Sequence, residues 1–147
     1  MKIQTLSAIL LSTLLLSSQA DAADNKSIIK HRQGIMGAIS GHFSASMSSL
    51  RGMEQFNDNQ VFHAESIARL AKISKESFPA GSGDGKTKAR EEIWENSEGF
   101  AKEMDDFIAK ADLFASAVKS GDQASFGKTA KALGQSCKSC HDDFKAK

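Results

Sequence analysis

The chain has 147 residues, enough for one domain, with 40% hydrophobic and 25% charged residues. Its 19 basic and 18 acidic side chains nearly cancel, which excludes the broad field that steers a protein toward nucleic acid or an anionic membrane. A single proline and no tyrosine stand beside nine phenylalanines and one tryptophan, so most of the backbone is free to be helical around a modest aromatic core.

The first residues differ in kind from the rest. Met1-Lys2 gives a positive start, Ile3 to Gln19 is uncharged around the Leu-rich run Leu6 to Leu16, and Ala20-Asp21-Ala22 offers the small-x-small pattern of a signal-peptidase site. The pattern predicts a signal peptide over residues 1–22, cleaved after Ala22, and a mature domain over 23–147. Its strongly apolar part is only about half of the ~20 residues that a membrane span requires, and no later segment is long enough to cross. Cleavage removes one charge of each sign, Lys2 and Asp21. The mature domain is expected outside the cytoplasm, in a bacterial periplasm.

The first helix is expected from about Asn25 to Ser49, with Ile28, Ile29, Arg32, Met36, Ile39, Phe43 and Met47 on one face. His31 and His42 fall on an offset stripe with Ile35 and Ala38. Gly34, Gly37 and Gly41 interrupt this helix, each at a cost of about 1 kcal/mol relative to alanine. Either a bulky group or a neighbouring helix comes close to that backbone. The second helix, about Asn59 to Ser77, takes its cap from Asn57-Asp58-Asn59. It turns Val61, Ala64, Ile67, Ala68, Ala71 and Ser74 inward and ends at Phe78-Pro79. A glycine-rich loop, Ala80 to Lys86, follows.

The third helix carries an unbroken stripe in steps of four and three: Ile93, Ser97, Phe100, Met104, Phe107, Ala111, Phe114 and Val118. Ser120-Gly121-Asp122 closes it and caps the fourth, about Asp122 to Phe144, whose inner face reads Phe126, Ala130, Leu133, Cys137, His141 and Phe144. No strand is legible. Stripes of this kind pack at shallow crossing angles, and short connections favour antiparallel neighbours. The expected fold is all-α, an up-down-up-down four-helix bundle.

Near the C-terminus, Cys137-Lys138-Ser139-Cys140-His141 matches the pattern for covalent attachment of a c-type haem. Positions i, i+3 and i+4 share a helix face, so both sulfurs and the imidazole point the same way. Each thiol can form a thioether with one haem vinyl group, and His141 is then placed to ligate the iron. Three other readings fit less well. A thioredoxin-like pair belongs at the start of a helix after a strand. A structural zinc site needs four ligands at paired spacings, and His31, His42 and His63 are distant and unpaired in the sequence. A disulfide between i and i+3 inside a helix is strained.

With these residues in place the mature chain resembles the class II c-type cytochromes, the cytochrome c′ family, whose haem motif ends a four-helix bundle. The resemblance rests on His31-Arg32-Gln33-Gly34-Ile35-Met36, on Glu92-Ile93-Trp94 and Phe100, and on Cys137 through Lys145. It implies one haem c held by Cys137 and Cys140, with His141 as metal ligand and Arg32 and Gln33 near the haem propionates. Lys145 stands where relatives carry a basic residue close to the haem. Phe78 and Trp94 either border the pocket or belong to the core.

Met36 falls at the family's distal position, facing the iron from the side opposite His141. As a ligand it makes a His/Met electron carrier of raised potential. As a non-ligand it is an apolar gap-filler, leaving a high-spin, five-coordinate haem that binds nitric oxide or carbon monoxide. Met47, Met53 and Met104 are weaker candidates. The leading expectation is therefore a periplasmic cytochrome that exchanges electrons with redox partner proteins and transforms no substrate. Nucleic acid is not an expected partner. The resemblance also permits a homodimer through the first two helices.

Overall fold

The computed structural model describes the backbone of residues 7–48 and 54–147, and the side chains of 24–48 and 57–147. Met53 lies outside the described residues. Helix α1 runs Ser7–Ser46, beginning well before the Asn25 start expected from the sequence. No proline or glycine separates the Leu-rich leader from the amphipathic segment, so no strong breaker stops the helix there. A 3₁₀ turn, Glu54–Asn59, leads into α2, Gln60–Ser74, which closes in a second 3₁₀ turn, Lys75–Ser77. The expected cap is not made: Asn59 is itself helical in φ and ψ and accepts no side-chain capping bond.

The third helix also departs from its reading. A single turn, α3 (Glu92–Glu95), is separated from α4 (Ser97–Ser120) by Asn96, whose φ of −115° and ψ of 58° break the helix. The Asn96 side chain then accepts a bond from Gly99 N–H at 3.1 Å and so caps α4. Gly121, with φ of +71°, ends α4 in the left-handed conformation that glycine adopts without penalty. Asp122 starts α5, Gln123–Phe144, by accepting bonds from Ala124 and Ser125 N–H. Among the described residues there is no strand, only one antiparallel bridge between Ala89 and Lys145.

The contacts between helices fix an antiparallel order. Phe100 meets Phe144, and Phe114 meets Phe126, with centroids 5.3 and 5.6 Å apart, so α4 and α5 run in opposite directions. Lys72 pairs with Asp112 at 3.0 Å and Lys119 with Glu65 at 3.4 Å, which sets α2 against α4 in the same way. Arg32 reaches Ser77, and His42 reaches His63, across α1 and α2. The result is the up-down-up-down four-helix bundle. Its core is the stripe read from the sequence: Ile35, Ile39, Ala64, Ile67, Ala71, Ile93, Phe100, Met104, Phe107, Ala111, Phe114, Phe126, Ala130 and Leu133. Ile35, assigned to the offset stripe, is core, whereas Val61, Ser97 and His141, assigned to inner faces, are exposed.

The loop after α2 is tied down rather than free. Arg32, buried in α1, donates to Ser77 O at 3.3 Å, to Ser82 Oγ and O at 3.0 Å each, and to Thr87 Oγ1 at 3.2 Å. Its guanidinium lies 4.8 Å from the Phe78 ring centroid. Trp94 donates to Pro79 O at 2.9 Å and covers Gly83 closely, since a Cβ there would lie 2.8 Å from the indole.

Candidate functional site

Helices α1 and α5 do not close on one another. Between them lies a cavity of about 560 Å³, floored by Ile67 of α2 and by Phe100, Met104 and Phe107 of α4. One wall is α5, which presents Leu133, Cys137, Cys140 and His141. The facing wall is α1, which presents Arg32, Gln33, Met36, Gly37 and Phe43. Every site residue expected from the sequence therefore borders one cavity. The two helices approach at its end, where Phe43 comes within 3.7 Å of a Cβ built on Gly134.

The spacing of the pentapeptide acts as expected on α5. Cys137 and Cys140 are half-buried, carry free thiols and pack against the core cluster. His141 is exposed but borders the cavity. The end of α5 is held in place by the chain on either side of Ala89. Arg90 N–H donates to Phe144 O at 3.1 Å, and Ala146 N–H donates to Lys88 O at 2.8 Å. This short clip also brings Lys88 and Lys145 to the cavity mouth.

The electrostatics sort the chemical readings of the cysteine pair. Burial raises the Cys137 thiol, and burial together with the Glu103 carboxylate, Cys137 and Asp143 pushes Cys140 up to about 11. A disulfide-exchange or zinc-thiolate pair needs thiols shifted the other way. Among the described residues no three His, Cys, Asp or Glu groups gather to hold a metal ion. Burial, aided by the Lys145 charge and opposed by Asp142, lowers the His141 pKa. The imidazole is thus neutral at pH 7, the form in which it ligates a metal.

Two neutral thiols and a neutral imidazole on one helix face, opening onto a mostly apolar slot, fit a covalently held haem. Gly37 of α1 suits the same reading: it borders the cavity, and a Cβ there would meet no protein atom within 4 Å. Gly34 and Gly41 are exposed and do not line the cavity, so neither a bulky group nor a packed helix accounts for them. Met36 is half-buried on the α1 wall.

Arg32 and Gln33 stand at the edge of the slot. The four terminal N–H hydrogens of Arg32 are taken by the loop, and Gln33 donates to Lys86 O at 2.9 Å. Phe78 borders the cavity, Trp94 packs outside it, and Met47 packs against the core without reaching it. Met104, a weaker candidate on the inner stripe of the third helix, lines the floor. Two features were not legible: Lys88 at the mouth, and Glu103, which keeps one buried carboxylate oxygen without a hydrogen-bond partner. Nothing in the sequence pairs residues 88–90 with the C-terminal tail.

A family model described as Cytochrome C' matches residues 27–145. The cytochrome c′ of Rhodospirillum rubrum is 32% identical over 137 residues, 92% of this chain and 93% of its own. A cytochrome c-556 of Agrobacterium fabrum is 32% identical over 154 residues, covering all of this chain and 98% of its own. The structure of cytochrome c prime from Shewanella frigidimarina is similar at a TM-score of 0.79 and 34% identity, over 84% of this chain and 97% of that one.

Proposed function

The chain belongs to the cytochrome c′ family of haem proteins, and from that premise we propose that it carries electrons in the periplasm, with its haem iron held between His141 and Met36. The observation that carries this reading is that the two residues border one cavity from opposite helices, α5 and α1. Haem, when bound, supplies the reversible Fe(III)/Fe(II) couple.

The chain's own residues do the rest. Cys137 and Cys140 hold the group through two thioethers, so that a small bundle keeps its cofactor. His141 gives a neutral imidazole nitrogen to the iron. Met36 offers a thioether that does not titrate and that favours the ferrous state. The apolar floor limits water, which keeps reorganisation on electron transfer small. Arg32 and Gln33 serve the haem carboxylates at the edge, Arg32 by its charge, because its terminal nitrogens already hold the loop. Signal cleavage after Ala22 delivers residues 23–147. Among the described residues no helix is long and apolar enough to cross a membrane, and the partners are other periplasmic redox proteins.

The apolar wall formed by Met36, Ile39, Phe43 and Phe107 also favours a second reading. If Met36 does not bond, that wall suits a small uncharged gas, nitric oxide or carbon monoxide, on a five-coordinate iron. Absorption spectra of the ferric and ferrous protein, with and without carbon monoxide, separate the two. The electron-transfer reading expects sharp low-spin bands that the gas leaves unchanged, together with a weak sulfur-to-iron band at the red end of the ferric spectrum. Met36→Leu then abolishes that band, opens the iron to carbon monoxide and lowers the reduction potential. Wild-type protein that is already high-spin, and that Met36→Leu does not change, establishes the gas-binding reading instead.

A further inference from the structure

Away from the haem slot, α1 and α2 bring two histidines together that the sequence leaves 21 positions apart. The Nδ1 atoms of His42 and His63 lie 2.9 Å apart, and the ring centroids 5.2 Å. Phe62, 63% exposed, packs edge-on against both rings, 5.5 Å from His42 and 5.4 Å from His63. Both imidazoles are half-buried. Two Nδ1 atoms at this distance share one proton at most, so at least one ring is neutral and accepts through its Nδ1 lone pair. Burial and the neighbouring His42 lower the His63 pKa, which preserves that neutral form.

We propose that His42 and His63 form a surface site for a divalent copper ion, which takes one Nδ1 atom from each of α1 and α2 and completes its shell with water. The spacing, that of an ordinary hydrogen bond, also suits a particular metal. With metal–nitrogen bonds of about 2.0–2.1 Å, nitrogens at right angles lie about 2.8–3.0 Å apart, and nitrogens at the tetrahedral angle about 3.3–3.4 Å. The observed 2.9 Å matches adjacent corners of a tetragonal site, the geometry of Cu(II), whose affinity for nitrogen donors also leads the first-row series. Binding displaces the shared proton and leaves both rings as the Nε2–H tautomer, with any excess proton released to water. A small rotation of the two rings then turns both Nδ1 lone pairs toward the ion. The helices need not move, because their packing has already brought the nitrogens to bonding separation. Phe62 covers the site on one side and leaves the other open to water. His31 is exposed on α1, eleven residues before His42, and serves as an internal control.

The test titrates the mature holoprotein with Cu(II) chloride, followed by calorimetry and by pulsed electron paramagnetic resonance. The expected result is one equivalent bound with two coordinated imidazoles, at least tenfold more tightly than Zn(II). His42→Gln and His63→Gln should each weaken binding tenfold or more, whereas His31→Gln should leave it unchanged. The haem absorption spectrum of each variant confirms that its bundle is intact. A wild-type spectrum with one imidazole or none, or unchanged affinity in both His42→Gln and His63→Gln, overturns the site. The wild-type imidazole count decides even if a variant fails to fold, and neither outcome bears on the haem ligands.

Discussion

Arg32 is 3% exposed, yet it carries a permanent charge. That burial is tolerable because four hydrogen bonds and the Phe78 face replace its water. Arg32→Ala strands the carbonyls of Ser77 and Ser82 and is expected to lower stability by about 2–4 kcal/mol, measured by denaturant unfolding of the holoprotein. Arg32→Lys should recover only part of this, because an ammonium cannot reproduce the planar fork. A shifted reduction potential with unchanged stability in Arg32→Ala would show that the residue serves the haem edge alone. The family resemblance marked Arg32 as a residue near the haem propionates. Its grip on the loop was not legible, since residues 45 to 55 positions away carry no periodic signal toward it. The same holds for His42 and His63: each helix face can be read by itself, but the register between two helices comes only from packing.

At the scale of elements, hydrophobic period gave the four helices of the bundle and most of their inner faces. It could not show the break at Asn96. Ile93 and Phe100 are seven residues apart, about two helical turns, and both remain buried on either side of the interruption, so the stripe keeps its phase through it. The break allows α3 to turn Trp94 onto Gly83 while α4 takes a fresh cap. Asn96→Ala removes that cap and is expected to cost about 1 kcal/mol, seen as a lower denaturant midpoint with an unchanged slope. A variant as stable as the parent would mean that packing, not capping, sets the start of α4. The early start of α1 was missed for a related reason. The leader was read by its targeting pattern, and a Leu-rich targeting segment is also a sound helix former.

At the scale of the molecule, the bundle is packed along three of its helix contacts and open along the fourth, where a cavity of about 560 Å³ separates α1 from α5. A void of that size forfeits the contacts of every side chain lining it. The haem-free mature chain is therefore expected to be a loosely packed helical state with weak near-ultraviolet circular dichroism and no sharp melting transition. Cooperative melting of the haem-free chain at the temperature of the holoprotein would mean that the helices close the gap unaided.

Covalent attachment at Cys137 and Cys140 is the claim on which the rest depends, and one measurement reaches it directly. The protein is exported from a host that has the haem-ligation machinery, extracted with acid-acetone and weighed intact by mass spectrometry. The account expects the mass of the mature chain plus one haem, falling to that of the bare chain when both cysteines are replaced by alanine. A wild-type protein that loses its haem to the solvent, or that weighs only as much as its polypeptide, would contradict it.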